Sequence, residues 1–422
     1  MTKPTIAEAS CADDYDPNSM PVDRTRAFIH GFSGPLPATL RVPIRTALGR
    51  VLAEDVVSPV DVPSHRNSAM DGWALRAADL APGGESTLEE VGASFAGRPF
   101  AGKVGPGQCV RIMTGGVVPE GADTVVMQER AKAEGRRITF APGQKAGQNV
   151  REAGEDLKRG SVALARGRLV RPAELGLLAS LGVGEVAVYR PLRVAFFSTG
   201  DELKSIGTPL GEGEIYDSNR YTLHGMLARL GCEVLDMGVV RDDPALLERA
   251  FREAAASADV VITSGGVSVG EADFVKALLD KLGEVVFWKI AMKPGRPLAY
   301  GRIGGAHFFG LPGNPVSVMV TFYQFVREAL LRLMGQDPVP PFPTFPATCT
   351  AKLRKAPGRT EFQRGILTRG ADGGWTVAPT GEQGSGILKS MSEANCFIVL
   401  GEAVGNVEPG TVVEVQFLEG LV

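Results

Sequence analysis

The sequence predicts a multidomain α/β protein: a mostly parallel three-layer α/β domain, a β-rich insertion, a mixed linker domain and a small C-terminal β-barrel. Three observations lead there. The chain has 422 residues, too many for one compact core and enough for two to four domains. From residue 190, apolar strand-type runs alternate with amphipathic helices, the pattern of a mostly parallel sheet covered on both faces. On either side of that block, Gly and Pro punctuate short β-type runs, as small β-rich bodies require.

Each element follows from its local pattern. Residues 1–20 are polar and carry little weight in the fold. In 21–60, AFIHGF is helix-prone, and VPIRTALGRVLAEDVV reads as a helix running into an extended stretch. In 61–150, CVRIM, DTVVMQE and RRITFA are short strands between turn residues. In 151–190 the helix PAELGLLASLG opens on proline and stops on glycine. Segments 21–60 and 151–190 are therefore expected to form one linker domain, with 61–150 inserted between them. In 191–335, RVAFFS, EVLDMGVV, DVVITS, VVFWKIA and HFFG are strands. Between them YTLHGMLARLG, PALLERAFREAAASA and DFVKALLDKLG are helices, and PVSVMVTFYQFVREALLRLMG is a long last one with Asn314 at its cap. QDPVPPFPTFP is a stiff linker. Residues 345–422 then give the barrel through CTAKL, WTVAP, CFIVL and VVEVQFL.

Composition excludes several classes. A net charge of −3 gives no electrostatic reason to expect nucleic acid or an acidic membrane. Five scattered cysteines without a C-x-x-C pair read as reduced thiols, neither a disulfide framework nor a zinc site. The first twenty residues lack an apolar core, and no segment approaches the roughly 18 apolar residues of a membrane span. A cytoplasmic protein is expected. The four histidines lie far apart and have no metal-ligand spacing.

The chemistry is expected at the carboxyl ends of the parallel strands, where ligands of open α/β sheets bind. Four loops fall there: STGDEL (198–203), RDD (241–243), SGGVSVGEAD (264–273) and GLPGNPVS (310–317). None is G-x-G-x-x-G or a P-loop. Taken singly, Asp273, Asp242 and Asp243 are ordinary helix caps, and Gly265–Gly266 is an ordinary tight turn. Together they bring bare backbone amides and carboxylates to one edge. Amides suit a phosphate and carboxylates repel one, unless a divalent cation sits between them. WKIAMKPGRP adds Lys289, Lys293 and Arg296, suited to an oxyanion.

These segments, in this order, resemble the molybdopterin molybdenumtransferase family. SAMDGWA, IMTGG, VPEGADTVV, GED, STGDEL, SNR, TSGGVSVGEAD, KPGRPLAYG, GLPGNPVS and GSG carry the resemblance, from about residue 21 to the end. It implies an elongated homodimer of four-domain subunits, with 21–60 and 151–190 serving dimerisation. The cleft would lie between the α/β domain of one subunit and the insertion of the other. It implies insertion of molybdate into adenylylated molybdopterin, with Mg²⁺, and release of AMP. Asp71, Thr114, Asp156, Lys289 and Lys293 would then be catalytic. Glu202, Asp242 and Asp273 would hold the metal, with Asp156 in the same acidic set. Ser218, Gly265, Gly266, Ser268, Pro312, Gly313, Asn314 and Ser385 would bind substrate, together with Arg359 or Arg364. Arg296 and Trp73 stand where the family is expected to have lysine and tyrosine. Two alternatives share the α/β domain: a molybdopterin-adenylylating enzyme and a non-catalytic scaffold. The loop GGVSVGEAD and the extra domains speak against the first, and the acidic set and lysines against the second.

Overall fold

In the computed structural model the described residues are 5–6, 19–266, 273–370 and 373–418. The first helix, α1 (Val22–Phe32), does not join the linker segment that follows it. Met20 bridges to Ile290, and Val22 and Ile29 pack with Trp288 and Ile290 in the core of the α/β domain. Strand β1 (Thr39–Pro43) opens the linker body. The helix expected over VPIRTALGRVLAEDVV is absent; only a 3₁₀ turn, Ile44–Ala47, forms there. Pro43 precedes it and Gly49, at φ +75°, ends it, so the segment is too short between its breakers to propagate an α-helix.

The inserted region forms a six-stranded sheet of β2 (Gly72–Leu75), β3 (Ser86–Ser94), β4 (Gln108–Ile112), β5 (Thr124–Met127), β6 (Ala131–Glu134) and β7 (Arg137–Phe140). Its strand order is β5-β2-β4-β3-β7-β6. Trp73 belongs to its core: its indole N–H donates to Glu90 (2.8 Å) and Arg111 lies 4.3 Å over the ring. The chain then returns through α2 (Pro172–Ser180) and β8 (Glu185–Tyr189), which pairs antiparallel with β1. Leu52, Val56, Leu164, Leu178, Val186 and Val188 share one apolar cluster, so the two segments flanking the insertion pack as one body.

The next block contains β9 (Arg193–Thr199), α3 (Ser218–Arg229), β10 (Glu233–Val240), α4 (Pro244–Ser257), β11 (Val260–Ser264) and α5 (Asp273–Leu282). It continues with β12 (Gly283–Lys289), β13 (Met292–Lys293), β14 (Pro297–Ile303) and β15 (Ala306–Leu311). The sheet order is β10-β9-β11-β15-β14-β12. The first four strands are parallel, and β14 runs antiparallel to both of its neighbours β15 and β12, so the sheet is mixed. Strand alternation sends Val194 and Phe196 into one cluster with Leu223 and Leu227 of α3, and Ala195 and Phe197 into another with Leu247 and Phe251 of α4. The last helical stretch is interrupted: α6 (Pro315–Thr321), a π turn at Phe322–Val326, then α7 (Arg327–Leu333).

The C-terminal body has β16 (Thr344–Cys349), β17 (Thr360–Arg369), β18 (Trp375–Pro379), α8 (Leu388–Glu393), β19 (Cys396–Leu400) and β20 (Val412–Phe417). Pairing runs β17-β18-β16-β20-β19 and back to β17, a closed five-stranded barrel. Strand β13 adds to it from outside, parallel to β17, with Met292 opposite Thr360 and Lys293 opposite Glu361. Among the described residues no helix is long and apolar enough to cross a membrane.

Candidate active site at the carboxyl edge of the sheet

Because β9, β10, β11 and β15 run parallel, their ends at Thr199, Val240, Ser264 and Leu311 share one edge. The loops beyond them border a cavity of about 1180 Å³. The barrel supplies the opposite wall through Arg359, Gln383, Gly384 and Ser385.

Local chemistry explains the shape. Gly265 and Gly266 have φ of +90° and +69°, a backbone that a side chain disfavours. A Cβ at Gly265 would lie 2.5 Å from the Thr199 carbonyl oxygen, so the loop can approach β9 only without one. Asn219 ties three elements together: its Nδ2 donates to Ser264 Oγ (2.8 Å) and to the Gly313 carbonyl (2.6 Å). The two aspartates before Pro244 divide their roles. Asp243 caps α4, accepting from Ala245 and Leu246 (2.9 Å each), whereas Asp242 lines the cavity. Asn314 occupies the N-cap of α6 without a side-chain capping bond. The amide of Val316 instead donates to the Ser385 carbonyl (3.1 Å), fastening the barrel loop to this helix.

The cavity brings together Glu202, Ser218, Asp242, Gly265, Gly266, Lys293, Pro312, Gly313, Asn314, Arg359 and Ser385 from the residues singled out in the sequence. Ser268 and the side chain of Asp273 lie outside the described residues, although Asp273 begins α5. Lys289 does not line the cavity. It ends β12 with the same parity as Val285 and Phe287, which pack in the cluster on the α4 face. Lys293 is held by Glu361, whose side chain is 5% exposed and whose Oε1 lies 3.5 Å from the ammonium. Gln363 donates to the other oxygen of Glu361 (3.0 Å).

Burial separates the two arginines. Arg359 is exposed and borders the cavity. Arg364 is 1% exposed and donates to Ser390 Oγ (3.0 Å) and to the carbonyls of Glu382 (3.4 Å), Gln383 (3.2 Å) and Gly384 (2.9 Å). Burial lowers its pKa to about 10. It shapes the loop that carries Ser385.

Asp71, Thr114 and Asp156 are exposed and away from this cavity in the same chain. Asp71 Oδ1 accepts from both the amide (2.7 Å) and the hydroxyl (2.8 Å) of Thr114, and these two donors hold its carboxyl below the usual range. The two residues act as one unit on the inserted sheet.

Three family descriptions match the chain in order: "MoeA N-terminal region (domain I and II)" over 20–182, "Probable molybdopterin binding domain" over 195–332 and "MoeA C-terminal region (domain IV)" over 346–418. The molybdopterin molybdenumtransferase of Haemophilus influenzae is 49% identical over 374 residues, 88% of this chain and 92% of the relative. The chain belongs to the molybdopterin molybdenumtransferase family. It is therefore a transferase. Molybdopterin molybdenumtransferase 2 of Mycobacterium tuberculosis is 38% identical over 388 residues, 89% of this chain and 94% of the relative. The crystal structure of a molybdopterin biosynthesis moeA protein from Pyrococcus horikoshii OT3 superposes with a TM-score of 0.81 at 29% identity, covering 95% of this chain and all of that one.

Thr199 and Asn219 lie in the segments STGDEL and SNR without having been singled out, and Asp217 and Glu361 went unnamed. The signal for Asp217 and Asn219 was present as a polar triplet, Asp-Ser-Asn, at the mouth of α3. Glu361 stands between Arg359 and Arg364 in the sequence and carries no signal of its own. For Mg²⁺, expected from the family resemblance, Glu202 and Asp242 offer the hard carboxylate oxygens that the ion takes. Among the described residues no three His, Cys, Asp or Glu side chains are already gathered as a metal cluster.

Proposed function

We propose that the chain, acting in the cytoplasm as a homodimer, inserts molybdate into the dithiolene of adenylylated molybdopterin and releases AMP, with Mg²⁺ required. One observation carries this reading: a single cavity in which Lys293, Arg296 and Arg359 face Glu202 and Asp242 around the glycine pair Gly265–Gly266. Both signs of charge in one cavity suit a phosphorylated substrate that arrives with a cation.

In this reading the bare backbone of Gly265, Gly266, Pro312 and Gly313, with Ser218, Ser268 and Asn314, holds the phosphates. Lys293, Arg359 and Ser385 take the molybdate dianion, and Glu361 keeps the lysine ammonium in place. Glu202, Asp242 and Asp273 would hold Mg²⁺, which supplies charge neutralisation at the phosphate when bound. Asp71 and Thr114 belong to the insertion of a second copy and reach the cleft from across the dimer, with Asp156 supporting that side. Support for this last point is negative charge already fixed in place: Asp71 is ionised at neutral pH and oriented by Thr114.

The test is to incubate the protein with adenylylated molybdopterin, Mg²⁺ and molybdate and to measure AMP. Release that needs both ions is expected. Release indifferent to molybdate would refute the assignment.

A further inference from the structure

One wall of the cavity has polar atoms with no partner among the described residues. Asp217 is 2% exposed, Thr199 7% and Asn219 8%, and all three line the cavity. Asp217 Oδ2, Thr199 Oγ1 and Asn219 Oδ1 are each buried without a hydrogen bond. The rest of each polar group is committed. Asp217 Oδ1 accepts from the Arg220 amide (3.2 Å) at the start of α3. Asn219 Nδ2 faces the Gly313 carbonyl, which can only accept, so the amide cannot flip and its oxygen must stay on the orphaned side. The nearby guanidinium of Arg220 acts on Asp217 only through space, because its Nε is bound to both oxygens of Asp236 (2.6 and 2.7 Å) and Asp217 Oδ2 has no hydrogen bond among the described residues.

Buried acceptors without donors are rare and costly. Here a carboxylate oxygen and an amide oxygen are left so among the described residues, and a hydroxyl that lines the same cavity can donate or accept. The complementary ligand edge carries adjacent N–H donors followed by an acceptor. We propose that Asp217, Asn219 and Thr199 form the subsite for the 2-amino-4-oxo edge of a pterin. The ring N3–H and 2-amino group donate to Asp217 Oδ2 and Asn219 Oδ1, and the Thr199 hydroxyl donates to the 4-oxo group. The inference rests on the molybdopterin reading above and adds an orientation to it. An adenine edge places a ring-nitrogen acceptor beside its amino donor and meets the carboxylate with repulsion. The adenylyl end of the substrate therefore lies elsewhere in the cavity, and the pterin end lies against α3.

The probes are 6-hydroxymethylpterin and the matching lumazine, in which an oxo group replaces the 2-amino group, titrated by fluorescence with AMP and Mg²⁺ present. Wild type binds the pterin roughly 10- to 100-fold more tightly, the range of a hydrogen bond to a charged group. Asp217→Asn keeps a good helix cap, loses that preference, and leaves AMP affinity and the Mg²⁺ midpoint unchanged. The free Asp217→Asn protein melts no lower than wild type, since the substitution removes a buried carboxylate oxygen that has no hydrogen-bond partner among the described residues. Thr199→Val weakens pterin binding several-fold without unfolding the cleft. Equal affinity of wild type for pterin and lumazine, or no saturable pterin binding, overturns the proposal. So does a shift in Mg²⁺ midpoint in Asp217→Asn with pterin preference intact, which makes the aspartate a metal ligand. Loss of the proposed reaction would show separately, as absent AMP release by a protein that still prefers the pterin.

Discussion

Replacing Arg364 by methionine should cripple the enzyme while barely changing its stability. The guanidinium makes four hydrogen bonds, to Ser390 and to the carbonyls of Glu382, Gln383 and Gly384. At about 1 kcal/mol net apiece they contribute about 4 kcal/mol. Against this, burial lowers the pKa from 12.5 to about 10, a penalty on the charged form of roughly 3 kcal/mol. Methionine fills the volume and removes the penalty with the bonds. The freed carbonyls of Glu382 and Gly384 belong to exposed residues and can rehydrate. The difference is about 1 kcal/mol, or a melting shift of about 4–8 °C for a body the size of the barrel. The loop nevertheless loses the group that shapes it, and with it the placement of Ser385. A displacement of about 1 Å at a reacting centre costs on the order of 100-fold in rate. AMP release measured beside differential scanning calorimetry decides the matter. Arg359→Ala should lower the rate with no change in melting. A collapse of folding in Arg364→Met, or an unimpaired rate, would refute the reasoning.

Three further outcomes follow from the same geometry. Lys293→Ala should raise the molybdate concentration needed for half-maximal rate at saturating pterin substrate, with Lys293→Arg failing to rescue it fully because a planar fork replaces a compact charge; an unchanged molybdate dependence would make the lysine a phosphate ligand. Gly265→Ala places a methyl group 2.5 Å from the Thr199 carbonyl at φ +90°, and should cost at least roughly 2 kcal/mol and lower nucleotide affinity, read by denaturant melts and AMP titration. Glu174 in the linker body is held by Arg168 and Arg171, and hydrogen bonding from Arg171 takes its carboxyl to about 2; since the folded value lies below the unfolded one, its contribution of roughly 3 kcal/mol is present above pH 4.5 and is lost as pH falls toward 2. Glu174→Gln should therefore destabilise at pH 7 and match wild type near pH 2, checked by urea melts at both values.

Much of this was legible in the sequence because each strand of the parallel block announces itself by apolar runs and each helix by its punctuation. Pro172 at the start of α2 and Gly182 beyond its end, at φ +71°, show the punctuation working. The loops at the carboxyl ends needed only parallel topology to converge. What failed had no local signature. The segment after Pro43 has helix-forming residues, but it is cut short at Gly49, and beyond that glycine Leu52 bridges to Val188 of β8, more than a hundred residues away. Strand β14 sits inside a glycine- and proline-rich stretch, and its antiparallel pairing depends on β12 and β15 flanking it. Lys289 and Lys293 look alike in sequence, and only strand pairing shows that the first ends β12 of the sheet while the second lies in β13 against the barrel. Arg359 and Arg364 likewise differ only in what covers them.

The pairing of β13 with β17 has a mechanical consequence. Two consecutive residues of the α/β domain, Met292 and Lys293, are threaded into the ladder of another folding unit, and the Thr360 amide donates to the carbonyl of Ala291 (2.9 Å) just before them. Together with the Val316–Ser385 bond, this rivets the barrel to the cleft at two points. Any widening that admits a large substrate has to come from the side away from the barrel, because swinging the barrel outward would drag Lys293 with it. A chain ending before Thr344 would lose the strand against which its cleft lysine is stretched, together with Phe362 and Phe397, which share the core of the α/β domain.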